Sequence, residues 1–159
     1  MKDSNFLKEN NARHIWHPMG HPGELQRNTP TIITGASGVS IEDIDGHTAI
    51  DAVGGLWCVN VGYSCEPIKI AIKEQLDKLP YYSSFAGTSN DAAIELSYEL
   101  KEWFEPEGMV RAFFTSGGSD SVETALRLAR QYHKVRGDFG RTKFFSLKKG
   151  YHGTHFGGA

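Results

Sequence analysis

The stretch from Arg111 to His133, RAFFTSGGSDSVETALRLARQYH, constrains the fold more than any other. Ala112, Phe113, Phe114 and Thr115 make a short, mostly apolar run of the kind that buried parallel strands show. Ser116, Gly117, Gly118 and Ser119 make a tight turn of small residues. From Asp120 the pattern is helical, with Val122, Ala125, Leu126 and Ala129 at i, i+3, i+4 and i+7. Ser119 or Asp120 can cap this helix, and Asp120 with Glu123 has capping-box spacing. Arg127, Arg130 and Lys134 lie toward its other end, where cations suit the helix dipole. A second apolar run, Lys143 to Leu147, follows a turn at 137–140. With the helix of 120–134 as crossover, the two runs are expected to be parallel strands in a right-handed unit.

Strand, small-residue turn and helix can hold a phosphate. The first N–H groups of a helix have no partner within it, and the dipole favours an anion there by roughly 0.3–1 kcal/mol. Gly117 and Gly118 let the backbone come close, and the hydroxyls of Ser116 and Ser119 add donors. Asp120 and Glu123 oppose this unless they point away. The residues alone equally allow an ordinary strand-to-helix turn. Neither G-x-x-x-x-G-K-[ST] nor G-x-G-x-x-G is present, which disfavours ATP, GTP and dinucleotides and leaves other phosphorylated cofactors open.

The rest of the chain fits an α/β protein. A length of 159 residues suits one domain, and a net charge of −2 gives no reason to invoke nucleic acid or an anionic membrane. No apolar run approaches the ~20 residues of a spanning helix, and the N-terminus has no apolar core of a secretory signal. Cys58 and Cys65 are too few for a disulfide framework, so a reduced cytoplasmic chain is the simple reading. The chain stops at HFGGA, a glycine-rich stretch just after an expected strand, and truncation is expected.

Residues 4–13 read as a loose helix or a tail. The stretch 14–23, HIWHPMGHPG, reads as an irregular loop, and its histidines His14, His17 and His21 match no standard zinc spacing, so no metal is expected. Strand candidates lie at 31–34, at 39–44 and at 48–53, with a type I′ hairpin turn at Asp45-Gly46. Trp57, set among glycines, is a core residue or a pocket wall. A helix is expected from about Ser64–Pro67, with Ile68, Ala71, Ile72, Gln75, Leu76 and Leu79 on its apolar face. The segment 81–88, YYSSFAGT, is an aromatic loop, and 89–91 caps a further helix whose buried face is expected to hold Ala93, Leu96, Leu100, Trp103 and Phe104. Open parallel sheets bind ligands beyond the carboxyl ends of their strands, so the turn of 116–119 and the loop at Tyr151 are expected to share one edge.

Three stretches, IEDIDGHTAIDAVGGLWCVNVGY, FFTSGGSDSVETALRLARQYH and GYHGTHFGG, occur in an order and spacing that resembles the class III pyridoxal-phosphate-dependent aminotransferases, in particular the ω-amino acid:pyruvate group. The resemblance runs from about Trp16 to the end. It implies the N-terminal part of the fold-type I transferase fold, a small antiparallel hairpin unit followed by the start of a mainly parallel α/β sheet domain. Residues 1–53 are then expected to belong to the small domain and 54–159 to the first part of the large cofactor-binding domain. The resemblance assigns Gly118 and Ser119 to the phosphate of pyridoxal 5'-phosphate and Tyr151 to stacking on its pyridine ring. It assigns Trp57, Met19 and Phe85 to the substrate pocket, with Phe85 on a loop that reaches a partner subunit's site in a homodimer.

The implied activity is transfer of an amino group from an amine or ω-amino acid to pyruvate or a similar keto acid. The family's Schiff-base lysine, its pyridinium-pairing aspartate and its carboxylate-binding arginine lie downstream, so no catalytic residue is assigned here and the chain alone is expected to be inactive. Lys148 and Lys149 read as a solvated pair at a strand end. Two alternatives remain: a noncatalytic phosphate-ligand or interaction module, and another reaction on the same fold, such as that of an aminomutase, racemase or decarboxylase.

Overall fold

The structure is a computed structural model that describes residues 3–158. It forms two compact units, divided in sequence between Tyr81 and Tyr82. The first holds α1 (Ser4–His14), α2 (Pro22–Arg27), β1 (Ile33–Ser37), β2 (Ser40–Asp43), β3 (Thr48–Ile50), α3 (Gly54–Trp57) and α4 (Glu66–Lys78). The second holds α5 (Asp91–Trp103) and α6 (Gly118–Val135).

In the first unit, α1 is capped by Asp3, whose carboxylate accepts from the Phe6 N–H at 2.8 Å. The segment expected to be irregular is so from 15 to 21, and α2 begins at its end with Pro22, a residue suited to a first helical turn. Asn11 is the buried polar anchor of this region: its side chain donates to the Pro30 carbonyl at 2.9 Å and meets His17 Nε2 at 3.1 Å.

The three strands form one antiparallel sheet in the order β1-β2-β3. Gly38, with φ of +55°, opens the two-residue loop between the paired Ser37 and Ser40. The second turn differs from the expected type I′. Only Gly46 has positive φ there, +83°, and its N–H bonds the Asp43 carbonyl at 3.0 Å. This is the three-residue hairpin in which a tight turn is followed by a left-handed glycine. Asp43 forces that choice, because its Oδ1 accepts from the N–H groups of both Asp45 and His47 at 2.9 Å. Those bonds, the His47 backbone first, hold the Asp43 carboxyl below its usual range.

Beyond β3 the backbone does something rare. Gly54, Gly55, Leu56 and Trp57 have φ of +57°, +59°, +59° and +67°. The N–H groups of Trp57 and Cys58 bond the carbonyls of Val53 and Gly54 at 2.9 Å. α3 is therefore one turn of left-handed helix. L-residues avoid this region at about 1–2 kcal/mol each, so Leu56 and Trp57 carry strain that the two glycines do not.

The Asp51 carboxylate braces the turn. It accepts from Gly55 N–H at 2.7 Å, from Val53 N–H at 3.2 Å and from the Tyr63 hydroxyl at 2.5 Å. Tyr63 is itself fixed to the first hairpin loop, its N–H bonding the Gly38 carbonyl at 2.8 Å. The Tyr63 hydroxyl, followed by the Gly55 N–H, holds the Asp51 carboxyl below its usual range. The same bond pushes the Tyr63 phenol up. After this turn α4 begins with Pro67 in its first turn, as expected.

In the second unit, Asn90 caps α5, its side-chain oxygen accepting from the Ala93 N–H at 2.9 Å. α6 ends in a Schellman motif: Asp138 N–H bonds the His133 carbonyl at 2.9 Å and Gly137 N–H bonds that of Lys134 at 3.1 Å. The expected parallel pair is not formed. Neither 112–115 nor 143–147 carries a ladder of strand bonds among the described residues. Parallel strands are stable when both faces are covered and neighbours satisfy their backbones. This unit offers them two helices and no third strand.

The same shortage runs through both units. Among the described residues no apolar side chain is buried, and the expected buried faces of α4 and α5 are open, with Ile72, Leu76, Leu96, Trp103 and Phe104 all exposed.

The chain on its own is therefore expected to bind a hydrophobic dye strongly. Scanning calorimetry should show a heat peak far below the ~110 kcal/mol that a packed domain of this length absorbs. A full-sized cooperative peak would contradict the open faces. The Asp51 brace is local and is read by NMR titration. Asp51 is expected to titrate below its ordinary range and Tyr63 above its own. The Asp51 contribution is present above the unfolded carboxyl pKa and is lost as pH falls through the lowered folded value. The Tyr63 contribution is present below the unfolded phenol pKa and is lost as pH rises through the raised one. Ordinary midpoints at both would show that the brace does not form in solution.

Candidate functional site

The site is built on the first turn of α6. Its N-cap is Gly117, in extended backbone, and no side chain caps the helix. This corrects the expected capping by Ser119 or Asp120, which lie one turn too deep, as the second and third helical residues. The first internal bond runs from Ser121 N–H to the Gly117 carbonyl at 3.1 Å. The N–H groups of Gly118, Ser119 and Asp120 meet no acceptor among the described residues. A Cβ placed on Gly117 or Gly118 would touch nothing within 4 Å, so the backbone of the turn is open to close approach. Thr115 and Ser121 brace the turn: their hydroxyls, 2.6 Å apart, share one hydrogen bond and lie 3.0 and 3.1 Å from the Gly117 carbonyl, to which the other proton is donated.

The loop around Tyr151 lies against this turn. Thr154 N–H donates to Ser119 Oγ at 3.0 Å, and Gly157 N–H donates to Glu123 Oε2 at 2.8 Å. His155 Nδ1 sits 3.0 Å from Asp120 Oδ1. Gly153, with φ of +118°, is required for the approach, because a Cβ there would lie 3.0 Å from Ser119 Cα and Oγ. The structure thus brings Gly118, Ser119 and the loop of Tyr151 together.

The same contacts settle where the two carboxylates go. Asp120 is held by His155 and by the Ser116 hydroxyl, and Glu123 by the Gly157 backbone. Both are turned onto neighbouring chain, leaving the helix end to its own N–H groups. Ser116 is corrected in turn: its hydroxyl serves Asp120 and is not a spare donor for an anion. The Ser119 oxygen accepts from Thr154 N–H and also lies 3.5 Å from Thr154 Oγ1, a contact in which either hydroxyl can donate. The roles of Thr154, His155 and Gly157 were missed at the level of sequence. The signal for them is the glycine spacing of GYHGTHFGG, which permits a close backbone approach.

The remaining expected residues are all presented outward. Tyr151 is 76 % exposed, Phe85 84 %, Trp57 79 % and Met19 98 %. Trp57 lies on the left-handed turn, and Met19 has φ of +62°. Within the Tyr151 loop, His152 Nε2 is buried without a partner among the described residues. Lys148 and Lys149 are exposed in a turn closed by Gly150 N–H on the Leu147 carbonyl at 2.9 Å. A separate groove of about 440 Å³, with Arg127, Arg130, Lys134 and Arg141 on its walls, lies toward the C-terminal end of α6 and holds none of these residues. Asp43, Asp45 and His47 also cluster, but the hairpin turn uses the Asp43 oxygens.

Chemically, a bare helix N-terminus with a hydroxyl, open glycines and deflected carboxylates can hold a dianionic phosphate. An aromatic ring on the adjoining loop can cover a flat ligand.

Known proteins agree with this reading of the fold. The chain is 40% identical over 151 residues to an uncharacterized aminotransferase, YhxA, of Bacillus subtilis, covering 95% of the chain and 32% of that protein. An amine transaminase from an uncultivated Pseudomonas species, solved in its PLP-bound form, superposes with a TM-score of 0.86 at 47% identity, over 91% of this chain and 33% of that one. A thermostable (S)-enantioselective omega-transaminase from Thermomicrobium roseum superposes with a TM-score of 0.93 at 32% identity, over 99% of this chain and 35% of that one. The chain thus spans about a third of the length of the relatives it matches. The family model for class-III aminotransferases matches residues 23–158, which takes in the sheet, the left-handed turn, the first turn of α6 and the Tyr151 loop. The chain belongs to the class-III aminotransferases.

Proposed function

We propose that this chain is the phosphate-holding and substrate-facing part of a pyridoxal-phosphate-dependent transaminase, which moves an amino group from an amine or ω-amino acid to pyruvate or a similar keto acid. The observation that carries this reading is the uncapped start of α6, where the N–H groups of Gly118 and Ser119 meet no acceptor among the described residues while Asp120 and Glu123 are tied to the neighbouring loop. The residues present fit the phosphate of the cofactor. Gly118 and Ser119 would hold it through backbone N–H groups, and the Ser119 hydroxyl would add a third donor. Tyr151 would lie against the pyridine ring. Trp57, Met19 and Phe85 would line the substrate side. Bound pyridoxal phosphate supplies an electron sink for a proton shift at the amine-bearing carbon.

The lysine that bonds the cofactor belongs, on this reading, to the part of the family's length that this chain does not span. Lys148 and Lys149 are solvated and take no part. The enzyme would be a cytoplasmic homodimer. The exposed aromatics Tyr82 and Phe85 support the interface, since exposed aromatic patches mark contacts between chains. The free thiols Cys58 and Cys65 suit a reducing compartment. Among the described residues no helix is long and apolar enough to cross a membrane.

In the full-length enzyme, Ser119→Ala is expected to weaken cofactor retention by about 1.5–3 kcal/mol, the range for a hydrogen bond to a charged group. Equilibrium dialysis against pyridoxal phosphate measures this, and an unchanged affinity would remove Ser119 from the site. Borohydride reduction of the 159-residue chain mixed with pyridoxal phosphate is expected to leave Lys148 and Lys149 without stoichiometric label. Peptide mapping that finds either one fully modified, together with turnover of an amine and pyruvate, would place the catalytic lysine in this chain after all.

A further inference from the structure

The left-handed turn at Gly54–Trp57 poses a mechanical question. Leu56 and Trp57 sit in a backbone region that L-residues avoid, yet both side chains are exposed. The turn is closed by its own backbone bonds, Trp57 N–H to the Val53 carbonyl and Cys58 and Val59 N–H to the Gly54 carbonyl. One carboxylate braces it from outside. Asp51 Oδ2 accepts from Gly55 N–H at 2.7 Å and from the Tyr63 hydroxyl at 2.5 Å, while Oδ1 accepts from Val53 N–H at 3.2 Å.

Each partner is fixed from another side. Tyr63 N–H bonds the Gly38 carbonyl, and Gly38 N–H bonds Ser64 Oγ at 2.8 Å. Gly62 cannot carry a side chain, since a Cβ would meet Gly38 O at 2.7 Å. Gly55 cannot either, since a Cβ would meet Val59 Cγ2 at 2.6 Å. The Asp51 carboxylate thus connects a rigid anchor on the hairpin to the middle of the strained turn. Without it, the turn keeps only its own backbone bonds.

We infer that Asp51 is a positioning residue for substrate selection: it locks the left-handed turn and so sets the direction in which Leu56 and Trp57 are presented to the amine. This rests on the reading of Trp57 as a wall of the substrate pocket. Asp51 touches neither cofactor nor substrate in this role and acts through the turn. Strained backbone that persists because surrounding bonds over-determine it is characteristic of sites where direction matters.

The test uses the full-length protein with Asp51→Ala, Asp51→Asn and, as a control, Trp57→Ala. Two things are measured: the NMR Cα shifts of Leu56 and Trp57, and the ratio of kcat/KM for a bulky aryl amine against a small alkyl amine. In Asp51→Ala the shifts are expected to leave the left-handed range. The ratio is expected to change by roughly tenfold, the scale of a modest misfit in a pocket, through KM and with cofactor affinity unchanged. Asp51→Asn, which keeps one acceptor oxygen, is expected to restore part of both. Left-handed shifts that persist in Asp51→Ala would overturn the lock. Relaxed shifts with an unchanged ratio would overturn the role in selection, provided Trp57→Ala still alters the ratio. If Trp57→Ala leaves the ratio unchanged as well, the pocket reading fails and the inference falls with it.

Discussion

Apolar faces without a cover are the condition that every other feature of this chain answers to. α4, α5 and α6 have the residue spacing of amphipathic helices, and the two runs at 112–115 and 143–147 have the composition of inner strands. None of them has a partner among the described residues. What order there is comes from short-range bonds: Asn90 on α5, the Schellman motif at Gly137, the Asp43 turn and the Asp51 brace. Such bonds contribute about 1 kcal/mol each. They specify local geometry well and stabilise the chain poorly, since the hydrophobic term is the one that offsets the ordering of a backbone. The chain spans about a third of its relatives' length.

The candidate site survives that imbalance because it is made of local parts. The first turn of α6 and the loop of 151–158 are tied by three contacts that involve Ser119, Asp120 and Glu123. These contacts resolve an electrostatic conflict written into the sequence. Asp120 in the first turn and Glu123 in the second favour the helix dipole yet oppose a phosphate at the helix start. By giving each carboxylate a donor on the neighbouring loop, the fold keeps the acids near the dipole and points them off the anion's approach. The hydroxyl of Ser116 is spent on Asp120 for the same purpose.

How much of this was legible depends on the range of the interaction involved. The cap at Asn90, the proline at the start of α4 and the helix at 118–135 follow from local pattern, whereas Ser119 meets the Tyr151 loop without the parallel pair from which that meeting was expected. The turn at Asp45-Gly46 was placed correctly and typed wrongly, because the dipeptide suits both geometries and the decision belongs to Asp43, two residues earlier. Capping was placed one turn too deep because Gly117 adopts the N-cap conformation without offering a side chain, which leaves no residue-type signal. The parallel pair was misjudged for a different reason. Its residues suit it, but pairing is a property of neighbours, and apolar composition does not say whether those neighbours are at hand.

The left-handed turn was illegible for the deepest reason. Two glycines at 54 and 55 signal permissive backbone, but nothing in residue type predicts that Leu56 and Trp57 will follow them into a region they avoid. Their conformation is decided by Asp51 and by Tyr63, three and twelve positions from the start of the turn and its brace. An arrangement costing about 1–2 kcal/mol per non-glycine residue is not the lowest state of an isolated loop. It persists only where surrounding bonds over-determine it. Asp51 supplies three such contacts, to Val53 N–H, Gly55 N–H and the Tyr63 hydroxyl, and they meet at the segment that carries Trp57.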